Sequence, residues 1–270
     1  MHPIVERLLA RRGKKVPVAD GRKVVLVLWG GIMRGVRGGG AMMALSELGL
    51  NHAFDAIYTV SVGFPIAAYF LAEQINQGMS MVFSESASRR FINPWRFWKV
   101  VDIRFLVWCM RTKVPLEIGK VLGSRTKLYV RAVNLDQNKK FEYLEAHDYD
   151  AGEFMNIIEA STSVPVLHPK PVTIAGQRYV DTNINGHLKQ HMRHVLATDA
   201  TDILVIYNAP IQRMLALDDE PRVFEICPPK DWKLSRFEIN EQKLRQAAWS
   251  MGKLVKESFG EKSGIKLPGV

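Results

Sequence analysis

The strongest constraint on this chain is an apolar run that ends in glycines. Lys23-Val-Val-Leu-Val-Leu28 has no polar alternation after its lysine, and Trp29-Gly-Gly-Ile-Met-Arg-Gly-Val-Arg-Gly-Gly-Gly40 follows directly. A strand with no polar face must be covered on both sides, as parallel sheets are. The glycine-rich turn leads into a helical pattern through Leu45 and Leu48, closed by Gly49. The unit then repeats. Phe54 to Val60 reads as a strand, and Val62 to Ala72 as an apolar helix with Pro65 in its first turn, where a missing N–H matters little. Two strand–helix units in succession predict an α/β sheet.

Further along, Lys127 to Val133 and Lys140 to Leu144 read as strands, Glu153 to Ser161 as a helix, and Val172 to Val180 as a hairpin turning at Ala175-Gly176. His187 to Leu196 reads as a helix, followed by strands at Ile203 to Tyr207 and Val223 to Cys227. A last amphipathic helix carries Leu244, Ala248, Met251 and Val255, with Asn240 as N-cap and Gly260 as stop. Phe91 to Leu122 reads as mostly helical, broken at Asn93-Pro94 and Val114-Pro115. No repeat or linker divides the chain, which predicts a mobile N-terminal arm over 1–22 and a single domain over 23–270.

Composition narrows the function classes. Two cysteines among 270 residues, Cys109 and Cys227, make neither a disulfide framework nor a zinc site, and fit a reducing compartment. No cleavable leader is read at the N-terminus, and no apolar run is long enough to span a bilayer. The formal net charge of +10 suits an anionic partner, either lipid headgroups or nucleic acid.

Three stretches could carry chemistry. In Tyr58-Thr-Val-Ser-Val-Gly63 a serine sits between a buried strand and an apolar helix, as a nucleophile elbow does, with Gly63 small enough for a crowded turn and Thr59 where such elbows carry glycine. The bland reading is a helix-capping serine. The glycines from Gly30 onward let backbone N–H groups approach an anion; the endings of a P-loop and a dinucleotide fingerprint are absent, leaving an oxyanion hole or close helix packing. In Tyr179-Val-Asp-Thr-Asn-Ile-Asn-Gly186 an aspartate ends a strand, 120 residues past Ser61, as a base or a turn residue.

Taken in this order, the three resemble the patatin-like phospholipase family. Gly30-Gly31-Ile32-Met33-Arg34-Gly35 lies on the family's glycine-rich loop, Ser61 on its nucleophile, Ala160-Ser-Thr-Ser-Val-Pro165 on a conserved-type segment, and Asp181 on its aspartate. The resemblance covers roughly Val24 to Tyr207. It implies a three-layer α/β/α sheet with helices on both faces and a Ser-Asp dyad that needs no cofactor or metal. Asp181 would take the Ser61 proton, N–H groups of Gly30, Gly31 and Ile32 would hold the oxyanion, and Arg34 and Gly35 would position the loop. The implied activity is a serine acyl hydrolase, an esterase or phospholipase A-like enzyme, on lipid or lipid-like esters. The alternative is an impaired fold that binds acyl chains or anionic membrane without turnover. The expected setting is cytoplasmic, with peripheral contact to anionic membrane; nucleic acid is disfavoured, and the oligomeric state is left open. The departures are Ile32 and Thr59 in place of glycines, Thr182 and Asn183 after the aspartate, and Lys189 for a proline.

Outside this frame, His187, His191 and His194 share helical spacing and read as a solvated basic face rather than a metal site. His168 is a candidate third member of the site, more simply a loop histidine. Arg89 to Trp108 interleaves arginine with aromatics and reads as packed helices, as a lipid-facing wall, or as a surface that stacks on single-stranded nucleic acid.

Overall fold

The computed structural model describes residues 1–96, 99–164, 170–182, 188–210 and 220–261. Its frame is the expected mixed α/β sheet. The strand β1 (Val24–Leu28) is buried at all five positions. It lies between β2 (Ala56–Val60) and β7 (Asp202–Ile206), both parallel to it, and β8 (Val223–Ile226) continues in parallel beyond β7. On the other side come β3 (Lys127–Asn134), then β4 (Lys140–Glu145), β5 (Val172–Ile174) and β6 (Gln177–Asp181); the sheet order is β5-β6-β3-β2-β1-β7-β8, with β4 also on β3.

One face of the sheet, through Leu26, Leu28, Ile57, Val130 and Ile206, packs in the main core with α2 (Val36–Glu47), α3 (Gly63–Leu71), α4 (Ile75–Met81), α5 (Ile103–Thr112), α6 (Ile118–Leu122), α7 (Ala151–Thr162) and α9 (Glu241–Ser258). The opposite face, through Val25, Val27, Tyr58 and Val205, meets α8 (Leu188–Leu196) with Met192 and Val195. Helices therefore cover both faces, the three-layer arrangement expected. No helix among the described residues is long and apolar enough to cross a membrane.

A strand has two edges, and the pairing at β3 uses them unevenly. Along Tyr129–Asn134 one edge belongs to β4. The other is shared: β2 pairs parallel up to Val60↔Arg131, and β6 pairs antiparallel from Ala132↔Asp181. The C-terminal ends of β2 and β6 thus meet head to head on consecutive residues of β3. This strand-level arrangement positions the candidate site.

Three consecutive glycines of α2 each approach something different. A Cβ on Gly40 would lie 1.9 Å from the Ala248 carbonyl oxygen of α9, and one on Gly39 would lie 2.0 Å from Met79 Sδ. One on Gly38 would lie 3.0 Å from Asn208 Oδ1 and from Leu28 Cδ1. These glycines serve helix packing, the second of the two readings left open for them.

Several expectations change. Residues 1–22 do not form a mobile arm: α1 (Pro3–Ala10) buries Ile4, Val5 and Leu8 in the main core. Arg11, 1% exposed, bonds Asp20, Asp55 and the carbonyls of Ala53 and Arg22. The flanking basic residues hid this apolar face. Among the described residues of Phe91 to Leu122, helix is confined to α5 and α6, and an antiparallel Ile92↔Val101 bridge lies before them. The stretch between α3 and that bridge, unassigned from sequence, holds α4 and a π-helical turn, Val82–Ser86.

Candidate active site

Parallel strands end at a common edge, and residues leaving β1, β2 and β7 meet there. β2 cannot continue past Val60, because Asp181 occupies the next place on β3. The chain turns out at Ser61 with φ of +56°, a conformation strained for a residue with a side chain. Two residues on, α3 begins at Gly63. Both neighbours are pinned as glycine by close approach: a Cβ on Gly63 would sit 2.7 Å from the Leu28 carbonyl oxygen, and one on Gly30 would sit 2.5 Å from Ser61 Cβ. Thr59 is fully buried, and its hydroxyl donates to the Tyr129 carbonyl at 2.7 Å. The threonine is therefore absorbed into the sheet by a bond to β3.

Asp181, the last residue of β6, is 1% exposed. Its N–H donates to the Ser163 carbonyl at 3.1 Å. Oδ1 takes a long 3.4 Å contact from the Thr182 hydroxyl, and Oδ2 has no hydrogen-bond partner among the described residues. Burial pushes its pKa up to about 8, against the smaller pull of the Ser61 hydroxyl and of Thr182 toward ionisation.

The loop after β1 is held from two sides. Gly31 has φ of +145° and Ile32 φ of +54°, so a β-branched side chain occupies a left-handed position that favours glycine. Ile32 opens a short 3-10 turn, Ile32–Gly35, tied to the segment before α9: the Met33 N–H donates to the Arg236 carbonyl at 3.2 Å, and Arg34 Nε to the Leu234 carbonyl at 2.8 Å. Gly35 passes against Val62, where a Cβ would come within 2.6 Å of Cγ1.

Asn208, unremarked in the sequence, grips the loop from beneath. Fully buried just past β7, its side-chain amide donates to the carbonyls of Trp29 and, at 3.2 Å, Gly30. In a trans peptide the C=O and N–H point opposite ways. Holding these two carbonyls therefore turns the N–H groups of Gly30 and Gly31 away from Asn208. Arg37, 2% exposed, donates to the Asn208 carbonyl at 2.9 Å. The available signal was positional: β1 and β7 are adjacent and parallel, with Leu28↔Ile206 in register, so Asn208 leaves β7 level with Gly30.

Beside Ser61 opens a narrow apolar cavity of about 60 Å³. Ile32, Met33, Val36, Val62, Met79, Val82, Phe91, Ile103 and Leu106 line it together with Ser61. Ser86, on the π-helical turn, also lines it, with a buried hydroxyl that has no partner among the described residues.

The histidine expectation is corrected on α8. His191 is fully buried, with Tyr143 Oη 2.8 Å from its Nδ1, and burial with the nearby Arg131 pushes its pKa down to about 3. His194 stacks on the Tyr143 ring at 3.9 Å. His191 therefore lies against the sheet, while His194, Lys189 and Arg193 stay exposed as a basic face should. No group of three or more His, Cys, Asp or Glu that could hold a metal ion occurs among the described residues. Asn183, Gly186, His187 and His168 lie outside the described residues; Lys189 is exposed.

Comparison with known proteins follows the same lines. YjjU, an uncharacterized protein of Escherichia coli (strain K12), is 22% identical over 218 residues, 74% of this chain and 59% of that protein. The chain thus spans about three fifths of that relative's length. Among solved structures, VipD of Legionella pneumophila overlays on 89% of this chain and 68% of its own, at 10% identity and a TM-score of 0.40. ExoU in its complex with SpcU, from the type III secretion system of Pseudomonas aeruginosa, overlays on 89% of this chain and 52% of its own, at 12% identity and a TM-score of 0.41. Residues 26–184 match the patatin-like phospholipase family as a continuous stretch, more than half of the chain, and the protein belongs to that family.

Proposed function

We propose that the protein is a serine acyl hydrolase, esterase or phospholipase A-like, acting on lipid or lipid-like esters through Ser61 and Asp181. The observation that carries this reading is the head-to-head meeting of β2 and β6 on β3, which puts a strained serine beside a sealed carboxylate at the mouth of an apolar cavity. A carboxyl poised near pH 8 is matched to proton transfer from a serine hydroxyl at neutral to mildly basic pH.

In this mechanism the ionised Asp181 accepts the Ser61 proton as Oγ attacks the ester carbonyl. The N–H groups of Gly30, Gly31 and Ile32 receive the oxyanion. Collapse breaks the ester C–O bond, and Asp181 returns the proton to the leaving alcohol. Water, deprotonated by Asp181, then attacks the acyl carbon; the Oγ–acyl bond breaks, Asp181 returns the proton to Ser61 Oγ, and the carboxylic acid leaves. Met33 and Met79, flexible side chains in the cavity wall, let the slot widen for a chain.

The test is incubation with an active-site fluorophosphonate, with adducts located by mass spectrometry. A single adduct on Ser61, lost in Ser61→Ala and weakened in Asp181→Asn, supports the hydrolase. A folded protein that takes no label, yet binds fatty acids, transfers the fold to the non-hydrolytic acyl-binding reading.

A further inference from the structure

The outer side of the cavity wall has its own chemistry. Residues 89–113 hold seven basic side chains and one acidic one, which is six of the chain's ten net positive charges in 25 residues. The same segment carries two of the three exposed large hydrophobic residues among those described: Trp95 is 76% exposed and Trp108 is 40% exposed.

The segment is two-sided. On α5, Ile103 and Leu106 face inward and line the cavity beside Ser61. Arg104, Trp108 and Arg111, spaced i, i+4 and i+7, form its exposed stripe. Arg104 makes a loose 3.7 Å pair with Glu159. Trp108 is held between cations, with the Arg90 guanidinium 5.3 Å and the Lys113 ammonium 5.6 Å from its ring. Ahead of α5, the Ile92↔Val101 bridge closes the loop that presents Trp95, and Arg96 braces it by bonding the carbonyl of Arg90 at 3.0 Å.

Exposed tryptophan flanked by arginine on an amphipathic helix suits a bilayer interface: the indole enters the headgroup level, and the cations meet anionic lipid. Nucleic acid would also attract the charge, but the inner side of this helix opens on an apolar cavity, which gives an acyl chain and not a base somewhere to go. We infer that 89–113 is the face by which this protein seats on an anionic lipid surface, with Trp95 and Trp108 as anchors and α5 lying along the interface. The inference rests on the acyl-hydrolase reading for the use made of the lipid, but the surface itself is tested independently of hydrolysis.

Flotation of the full chain tests it, with vesicles of phosphatidylcholine alone or mixed with phosphatidylglycerol. The wild type is expected to float with the mixed vesicles and not the neutral ones, and to be released by salt. Trp95→Ala/Trp108→Ala and Arg104→Glu/Arg111→Glu should each lower partitioning about tenfold or more. Ser61→Ala should float like the wild type, so a failure of the hydrolase reading leaves this result standing. Equal binding to neutral vesicles, no binding, or unchanged flotation of both double variants overturns the inference. Should a double variant lose its cooperative melt, the wild type decides: brominated lipid in the mixed vesicles must quench its tryptophan fluorescence, and absence of quenching overturns the inference. A duplex oligonucleotide that displaces the protein from vesicles and binds it more tightly than they do assigns the face to nucleic acid instead.

Discussion

A carboxyl group sealed from water, as Asp181 is, keeps its proton well past the ordinary carboxylate range. Two pH effects of opposite sense follow. Between its usual value of 3.8 and about 8, the unfolded chain ionises this group while the folded chain holds the proton. Folding stability attributable to Asp181 is therefore fully present below that window and lost as pH rises through it. Asp181→Asn should flatten that decline in urea melts. Over the upper part of the same window, Ser61 labelling should rise with pH and level off above about 8, where the base is ionised. At the same scale, Asn208→Ala and the near-isosteric Asn208→Asp both remove the amide that holds the Trp29 and Gly30 carbonyls. On the proposed reading, the expected result is a fall of about a hundredfold in kcat with KM little changed, as for a disturbed oxyanion loop. A purely structural role would lower the melting temperature and leave kcat per folded molecule alone. Ser61 and Asp181 were singled out by the order of three motifs, since each alone also reads as a cap or a turn residue, and the strand pairing brings the ends of β2 and β6 together on β3. Asn208 was not singled out, since its importance lies in the register of β7 against β1, and no local pattern encodes which strand lies alongside another.

Helix α2 is built to be approached, and its glycines are not equivalent. A methyl on Gly40 meets the backbone carbonyl of Ala248, which can move only if α9 moves; a methyl on Gly39 meets Met79, a side chain free to change rotamer. Gly40→Ala should therefore destabilise by about 2 kcal/mol or more, in the range of overpacked cores. Gly39→Ala should cost about 1 kcal/mol or less, part of the strain being offset by helix propensity. Urea melts of the two variants, in that order of midpoint, check the assignment of α2–α9 as a backbone-to-backbone crossing; the reverse order would contradict it. Strands read well from sequence at this scale: β1, β3, β4 and the β5–β6 hairpin lie within a residue or two of their apolar runs. The 91–101 loop did not, because arginine interleaved with aromatics carries no period to separate a helix from a loop closed by one bridge.

The whole molecule is closed at its N-terminal end by a buried cation. Arg11 ties the residues after α1 to Asp20 and to Asp55 at the head of β2, within 2.8 Å of each. Arg11→Met keeps the volume and removes both ion pairs, but Asp20 and Asp55 stay partly exposed; a loss of about 1.5–3 kcal/mol is expected, the range for hydrogen bonds to charged groups. Hydrogen bonding to Arg11 lowers the Asp20 pKa to about 2. The stabilisation from that shift is present above 3.8 and is lost as pH falls toward 2. Acid melts of Asp20→Asn should show a shallower decline over that interval. The N-terminal stretch was misread because basic neighbours hide the short apolar face of α1, and burial of an arginine has no periodic signature. The shared edge of β3 has a further consequence, in time. Ser61 and Asp181 are 120 residues apart in the chain, and they become neighbours only when β6 takes the last free stretch of that edge. A chain still emerging from the ribosome would carry the serine turn without Asp181, and with Ala132 to Asn134 of β3 unpaired on that edge. On the proposed reading, such a hydrolase stays inert until β6 has emerged and docked on β3.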